Sequence, residues 1–159
     1  MKANRLVLAA LLCTLAAASL AAQSESRSPI ITIENGYDMG YHVATNTLGS
    51  AFRLGLGIGL TDNLQATFSF IANGITFDTY QLLGLDYSIL PQLGVSVAVG
   101  QDSTAATAVT AVGLYSTVLG RSVAGGLQTG LRVRLDYIAP VTGFQNGTVR
   151  IGVSALLGL

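Results

Sequence analysis

Lysine is almost missing from this chain. The single one, Lys2, lies at the extreme N-terminus, tryptophan is absent, and histidine and cysteine occur once each, as His42 and Cys13. Charged residues make up 10% of the chain, against about 25% in an ordinary soluble domain. A soluble globule with so little charge has trouble covering its surface, because half the residues are hydrophobic. With no basic cluster, nucleic acid is an unsuitable partner. One histidine cannot build a metal site with cysteines that are not there. Beyond residue 13 the chain has no cysteine, so disulfides and thiolate metal centres are excluded, and no cofactor is expected.

What is present begins with a secretory signal. Lys2 and Arg5 form a basic start, Leu6 to Ala18 an apolar stretch, and Ser19-Leu20-Ala21 an acceptable cleavage site. The stretch is shorter than the roughly 20 residues a membrane-spanning helix needs. Cys13 follows Leu12, not the small residue of a lipoprotein signal, and is read as part of the signal. The expected organisation is a signal peptide at 1–21 and a single domain at 22–159.

In that domain apolar and polar residues alternate with period two, the mark of strands with two unlike faces. Eight strands are expected: Ile30 to Val43, Leu48 to Leu60, Leu64 to Ala72, Phe77 to Ile89, Leu93 to Val99, Ala106 to Val118, Val123 to Ile138 and Thr148 to Leu159. In the first, Ile31, Ile33, Tyr37, Met39, Tyr41 and Val43 share one face, with Asn35 the exception; Glu34, Asp38 and His42 lie on the other. Leu82 falls out of pattern in the fourth strand, and alanine and threonine blur the sixth. Short turns are expected at Thr61-Asp62-Asn63, Leu90-Pro91-Gln92 and Leu119-Gly120-Arg121-Ser122. Across them Leu60 should meet Leu64, Ile89 meet Leu93 and Val118 meet Val123, which keeps the faces in phase.

Alternation alone does not say which face points inward, since a soluble lipocalin-like barrel has the same period with the apolar face inside. Three features favour the inverted case. The polar face is rich in glycine, alanine and serine, which suits the narrow interior of an eight-stranded barrel. Its charges nearly balance, with Glu34, Asp38, Asp86 and Asp136 against Arg53, Arg132, Arg134 and Arg150, and Asp78 left near a strand end. A soluble exterior would normally carry lysine. The expected fold is all-β: an eight-stranded antiparallel up-and-down transmembrane barrel.

The alternation, the rhythm of Gly57-Ile58-Gly59-Leu60-Thr61-Asp62-Asn63-Leu64 and the amphipathic last strand make the chain resemble small outer-membrane barrels of the OmpA, OmpX and OmpW type. That resemblance implies an outer-membrane location with both termini periplasmic, surrounding lipid as partner, a monomer, and a terminal strand read by the barrel-insertion machinery. Family members usually end in an aromatic residue; here the last residue is Leu159.

The interior charges are the candidate site: Glu34, Asp38, Arg53, Asp86, Arg132, Arg134, Asp136 and Arg150. A four-residue loop at Ala44 to Thr47 sets Val43 opposite Leu48 and hence Asp38 directly opposite Arg53; Asp136 and Arg150 pair similarly across the last hairpin. Such pairs either gate a narrow polar path or plug a closed barrel. His42 lies near a rim without a convincing serine beside it, which counts against the lipid-modifying enzymes found among such barrels. Gly55-Leu56-Gly57-Ile58-Gly59 lies in a strand with no helix after it, so it is not a nucleotide loop. Tyr41, Phe77, Tyr87 and Tyr137 are candidates for an interfacial aromatic girdle. The expected function is non-enzymatic, structural or a narrow porin-like conduit for small solutes; the alternatives are a surface interaction or adhesion protein and a lipid-modifying enzyme.

Overall fold

A computed structural model describes residues 31–74, 79–90, 92–122 and 127–159. The signal segment with Cys13, Ile30, Phe77, Asp78, Pro91 and Val123 lie outside the described residues. Eight strands run β1 Ile31–His42, β2 Thr47–Gly59, β3 Leu64–Asn73, β4 Thr79–Leu90, β5 Leu93–Asp102, β6 Thr107–Ser122, β7 Gln128–Pro140 and β8 Thr148–Gly158, with a 3-10 turn at Phe144–Asn146. Each strand pairs antiparallel with its sequence neighbour, and β1 pairs with β8, closing an up-and-down barrel. Closure leaves no edge strand with unpaired backbone groups.

The faces divide as the alternation requires. Tyr37 and Met39 on β1 are each 58% exposed, Leu83 on β4 64%, and Leu56, Leu114 and Ile151 about half. The intervening Asp38 is 2% exposed and Asp86 1%. The outer wall is therefore apolar and the charges point into the lumen. Leu64 departs from this, being buried beside the turn where Leu60 N donates to its carbonyl.

Three hairpins differ from expectation. In the first, His42 pairs with Thr47, so the loop is Val43–Asn46 and Asp38 faces Ala51, not Arg53. Asn46 adopts a positive φ of 54°, a conformation asparagine tolerates, and Tyr41 Oη donates to its Oδ1 at 2.7 Å. That closes the loop one residue early and frees β-branched Thr47 for the strand. The hairpin between β4 and β5 has a bulge, so Leu90, not Ile89, meets Leu93. The expected turn at 119–122 is strand. A bulge at Val118 sets Leu119 against Leu131, and Gly120 and Ser122 pair with Gly130 and Gln128. The ladder gives those backbone groups partners and so absorbs residues that read as turn formers. The Leu60–Leu64 turn is as expected.

The loop Ser103–Ala106 repeats the first in form. Asp102 pairs with Thr107, Ala106 has φ 51°, and Asp102 Oδ1 accepts from Thr104 N and Ala105 N at 2.9 and 3.1 Å. Between β7 and β8, Tyr137 donates to the Phe144 carbonyl and stacks edge-on against the Phe144 ring at 5.0 Å. These three loops lie at one end of the barrel. Ile31, Leu159 and the 60–63 turn lie at the other.

Candidate functional site

The alternation that sends leucine and valine outward sends every one of the eight expected charges inward, and the closed sheet brings them into one lattice. Arg53 on β2 grips Asp38 on β1, with Nη2 at 2.9 Å and Nε at 3.1 Å from Oδ2. The contact is diagonal, because Arg53 faces Gly36 in the ladder. The expected pair forms although the register behind the expectation was two residues off: the arginine is long enough to span the step.

Arg53 also donates to Asp136, and Asp136 lies 3.8 Å from Arg134 Nε. Arg134 in turn donates to Asp86 at 3.1 Å and Glu34 at 3.1 Å, and Arg132 bridges the same two acids at 3.1 and 3.2 Å. Ser154 on β8 donates to the other Glu34 oxygen at 2.6 Å. Asp136 and Arg150 do face one another across the last hairpin, as expected. Their side chains diverge: Arg150 Nε sits 3.4 Å from Asp38, outside hydrogen-bond geometry, while Asp136 turns to Arg53. Four carboxylates and four guanidiniums thus form one continuous, neutral cluster, all 9% exposed or less.

Neutrality is what makes this burial tolerable, since an isolated ion in a low-dielectric interior costs several kcal/mol. Arg132 Nε, Arg134 Nε and two Arg150 nitrogens make no hydrogen bond. Aromatic faces take up part of that deficit. Arg132 lies 4.4 Å and Arg134 5.6 Å from the centre of the Tyr115 ring, and Arg150 5.9 Å from that of Tyr80. Tyr115, hydrogen-bonded to Ser88 at 3.0 Å, belongs to the site and was missed because β6 gives a blurred pattern. Parity counted from Gly113, which faces Asp136, places it inward.

The lumen has a second layer that the sequence reading did not foresee. Ala51, Ile71, Tyr80, Leu82, Val109, Ala111 and Ile138 pack together, each 9% exposed or less. All lie in the loop-end portions of β2, β3, β4, β6 and β7, beside the charges: Ala51 pairs with Asp38 and Ile71 with Arg53 in the ladder. Leu82 is explained by this layer: it points inward, among apolar neighbours. Among the described residues a cavity of about 20 Å³ lies beside Arg53, Ser69, Asp86, Ser96, Arg134 and Asp136. That is room for about one or two waters, not a passage.

No protein-family model matches the chain, and no curated protein matches it. Among solved structures it is similar to one described as "De novo design of transmembrane beta-barrels", at 13% identity, over 85% of this chain and 99% of that one, with a TM-score of 0.53. The shared feature is the fold. The resemblance to the OmpA, OmpX and OmpW type is thereby supported as architecture, an eight-stranded antiparallel barrel, and no further.

At the loop end, His42 accepts from Thr45 N through Nδ1 at 3.4 Å. That is the loop-closing position Asp102 takes in the other hairpin, which gives His42 a structural role. Among the described residues, no group of three or more histidine, cysteine, aspartate or glutamate side chains is placed to hold a metal ion. Of the girdle candidates, Tyr41 and Tyr87 stand on the outer wall at 40% and 37% exposure, and Tyr137 is tied to its loop.

Proposed function

We propose that this chain is an outer-membrane β-barrel protein, non-enzymatic and closed to solutes, which serves as a structural element of the membrane with both termini in the periplasm. The single observation that carries the reading is the pairing of an exposed apolar wall with a filled lumen. The strands are 10 to 16 residues long, and about 9–11 tilted residues cross a bilayer. The interior supports the plug over the conduit: the charge lattice and the apolar cluster of Ile71, Leu82 and Ile138 beside it fill the lumen together. The described loops are short, which disfavours a large adhesive surface. His42 closing its own loop disfavours a catalytic role.

Purified protein refolded into lipid vesicles should migrate differently on a gel before and after boiling, and should give no discrete conductance steps in a planar bilayer. Folding to a monodisperse species in buffer without detergent would overturn the membrane reading. Reproducible single-channel steps would overturn the closed one.

A further inference from the structure

Seven of the eight strand pairs in this barrel are joined by a short connection, and a short connection fixes register. The pair β1–β8 has none. Its outer face gives little help, because a slip of two residues keeps apolar side chains outward and polar ones inward. Something in the lumen must distinguish Tyr37 opposite Val153, the observed register, from Tyr37 opposite Ile151 or Ala155.

The lattice supplies it. Strand β1 brings two inward carboxylates, Glu34 and Asp38. The β7–β8 hairpin brings Arg132, Arg134 and Arg150 against one acid, Asp136, and so carries two net positive charges. Every lattice arginine touches a carboxylate of β1: Arg132 and Arg134 reach Glu34, and Arg53 and Arg150 reach Asp38. Ser154 adds a hydrogen bond across the seam to Glu34. The facing backbone is shaped to match. Asp38 lies opposite Gly152, where an added Cβ would collide with Asp38 Oδ1, and Gly36 lies opposite Ser154, where an added Cβ would collide with the serine. Either slip takes Asp38 off its glycine.

We propose that the lattice is a closure device: the carboxylates of the first strand capture the arginines of the last hairpin, and so select the single register in which the barrel seals. Registry is also the best-attested use of buried charge, which often contributes little to stability itself.

Disulfide capture in a Cys13→Ser background reads the register directly, since paired Cα positions in a ladder fall within disulfide reach. Tyr37→Cys with Val153→Cys reports the observed register; Tyr37→Cys with Ile151→Cys or Ala155→Cys reports the slips. Two neutral variants are compared. The first removes the seam charges (Glu34→Gln, Asp38→Asn, Arg132→Gln, Arg150→Gln). The second removes a neutral pair outside the β1–β8 contacts (Arg53→Gln, Asp136→Asn) and leaves Arg134 on Glu34. The parent and the second variant should favour the 37–153 bond by about tenfold or more, equivalent to about 1.4 kcal/mol. The first should give all three bonds at similar yield. Retention of the preference in the first variant, or its loss in both, overturns the proposal. Should the first variant not fold, Glu34→Gln with Arg132→Gln is the milder form: its preference should fall part of the way, and an unchanged preference overturns the proposal as well.

Discussion

The lumen is filled in two ways, and the two fillings obey different rules. Toward the loop end, Ile71, Leu82, Val109 and Ile138 exclude water by apolar packing, which is non-directional and tolerant of exchange among residues of similar size. Beside them, eight charges exclude it by pairing, which is directional and intolerant of losing one member. One layer makes the barrel cohere. The other makes it specific. The sharpest way to break this contrast is to truncate one residue of each.

Arg134 is the hub of the charged layer, donating to Glu34 and Asp86 and lying near Asp136. Arg134→Ala leaves three carboxylates short of a partner. The expected loss is about 3–5 kcal/mol, read as a shifted midpoint in a urea refolding titration into vesicles. Ile71 is fully buried in the apolar layer. Ile71→Ala removes packing and opens a cavity but strands no charge, so its loss should fall near the lower end of about 2–5 kcal/mol. If Ile71→Ala proved the more damaging, the lattice would be better solvated than its burial indicates, and the two layers would not differ in kind.

The same contrast runs through what the sequence reveals. The charged layer was legible almost entirely, because a charged residue in an alternating strand marks its own face: all eight expected residues point inward. The apolar layer was not. Ile71 follows Phe70 and Leu82 precedes Leu83, and two adjacent apolar residues carry no period-two signal. Counting parity from a charge would have found them, since Leu82 is four residues before Asp86 and Ile138 two after Asp136. Architecture and strand count were legible from periodicity. Register was less so, because it rests on backbone events: the positive φ at Asn46 and the bulges near Val118 and Ile89. Asp38 and Arg53 met regardless, since a two-residue error preserves the face and a long side chain covers the offset.

Both layers owe their setting to the outer wall, and a charge placed there tests that frame. Leu54 is 43% exposed, flanked in the ladder by Asn35 and Phe70. In a bilayer an arginine near the midplane of a barrel costs about 2–4 kcal/mol, falling toward zero near the interfaces. Leu54→Arg should lower refolding stability by an amount in that range. Leu159→Arg, at the barrel end, should have a much smaller effect. Equal effects at both positions would mean that the wall does not sit in a bilayer with depth.

The finest division of the charged layer is the Asp38–Arg53 contact itself. Each member keeps a second neighbour when the other is removed: Asp38 retains Arg150 at 3.4 Å, and Arg53 retains Asp136. The single variants Asp38→Ala and Arg53→Ala should therefore each cost less than Arg134→Ala. Loss of Asp38 leaves Arg150 without its ion-pair partner, and loss of Arg53 leaves Asp136 leaning on Arg134 at 3.8 Å. The double variant should recover part of the summed loss, with a coupling energy of about 1–2 kcal/mol, inside the usual span for contacting residues. The measurement is a double-mutant cycle on refolding midpoints, repeated at high and low salt. Coupling that survives high salt fits a pair sealed from solvent, because buried charges are screened far less than exposed ones. Coupling abolished by salt would mean that ions reach the lattice, and the packed lumen would then not be sealed.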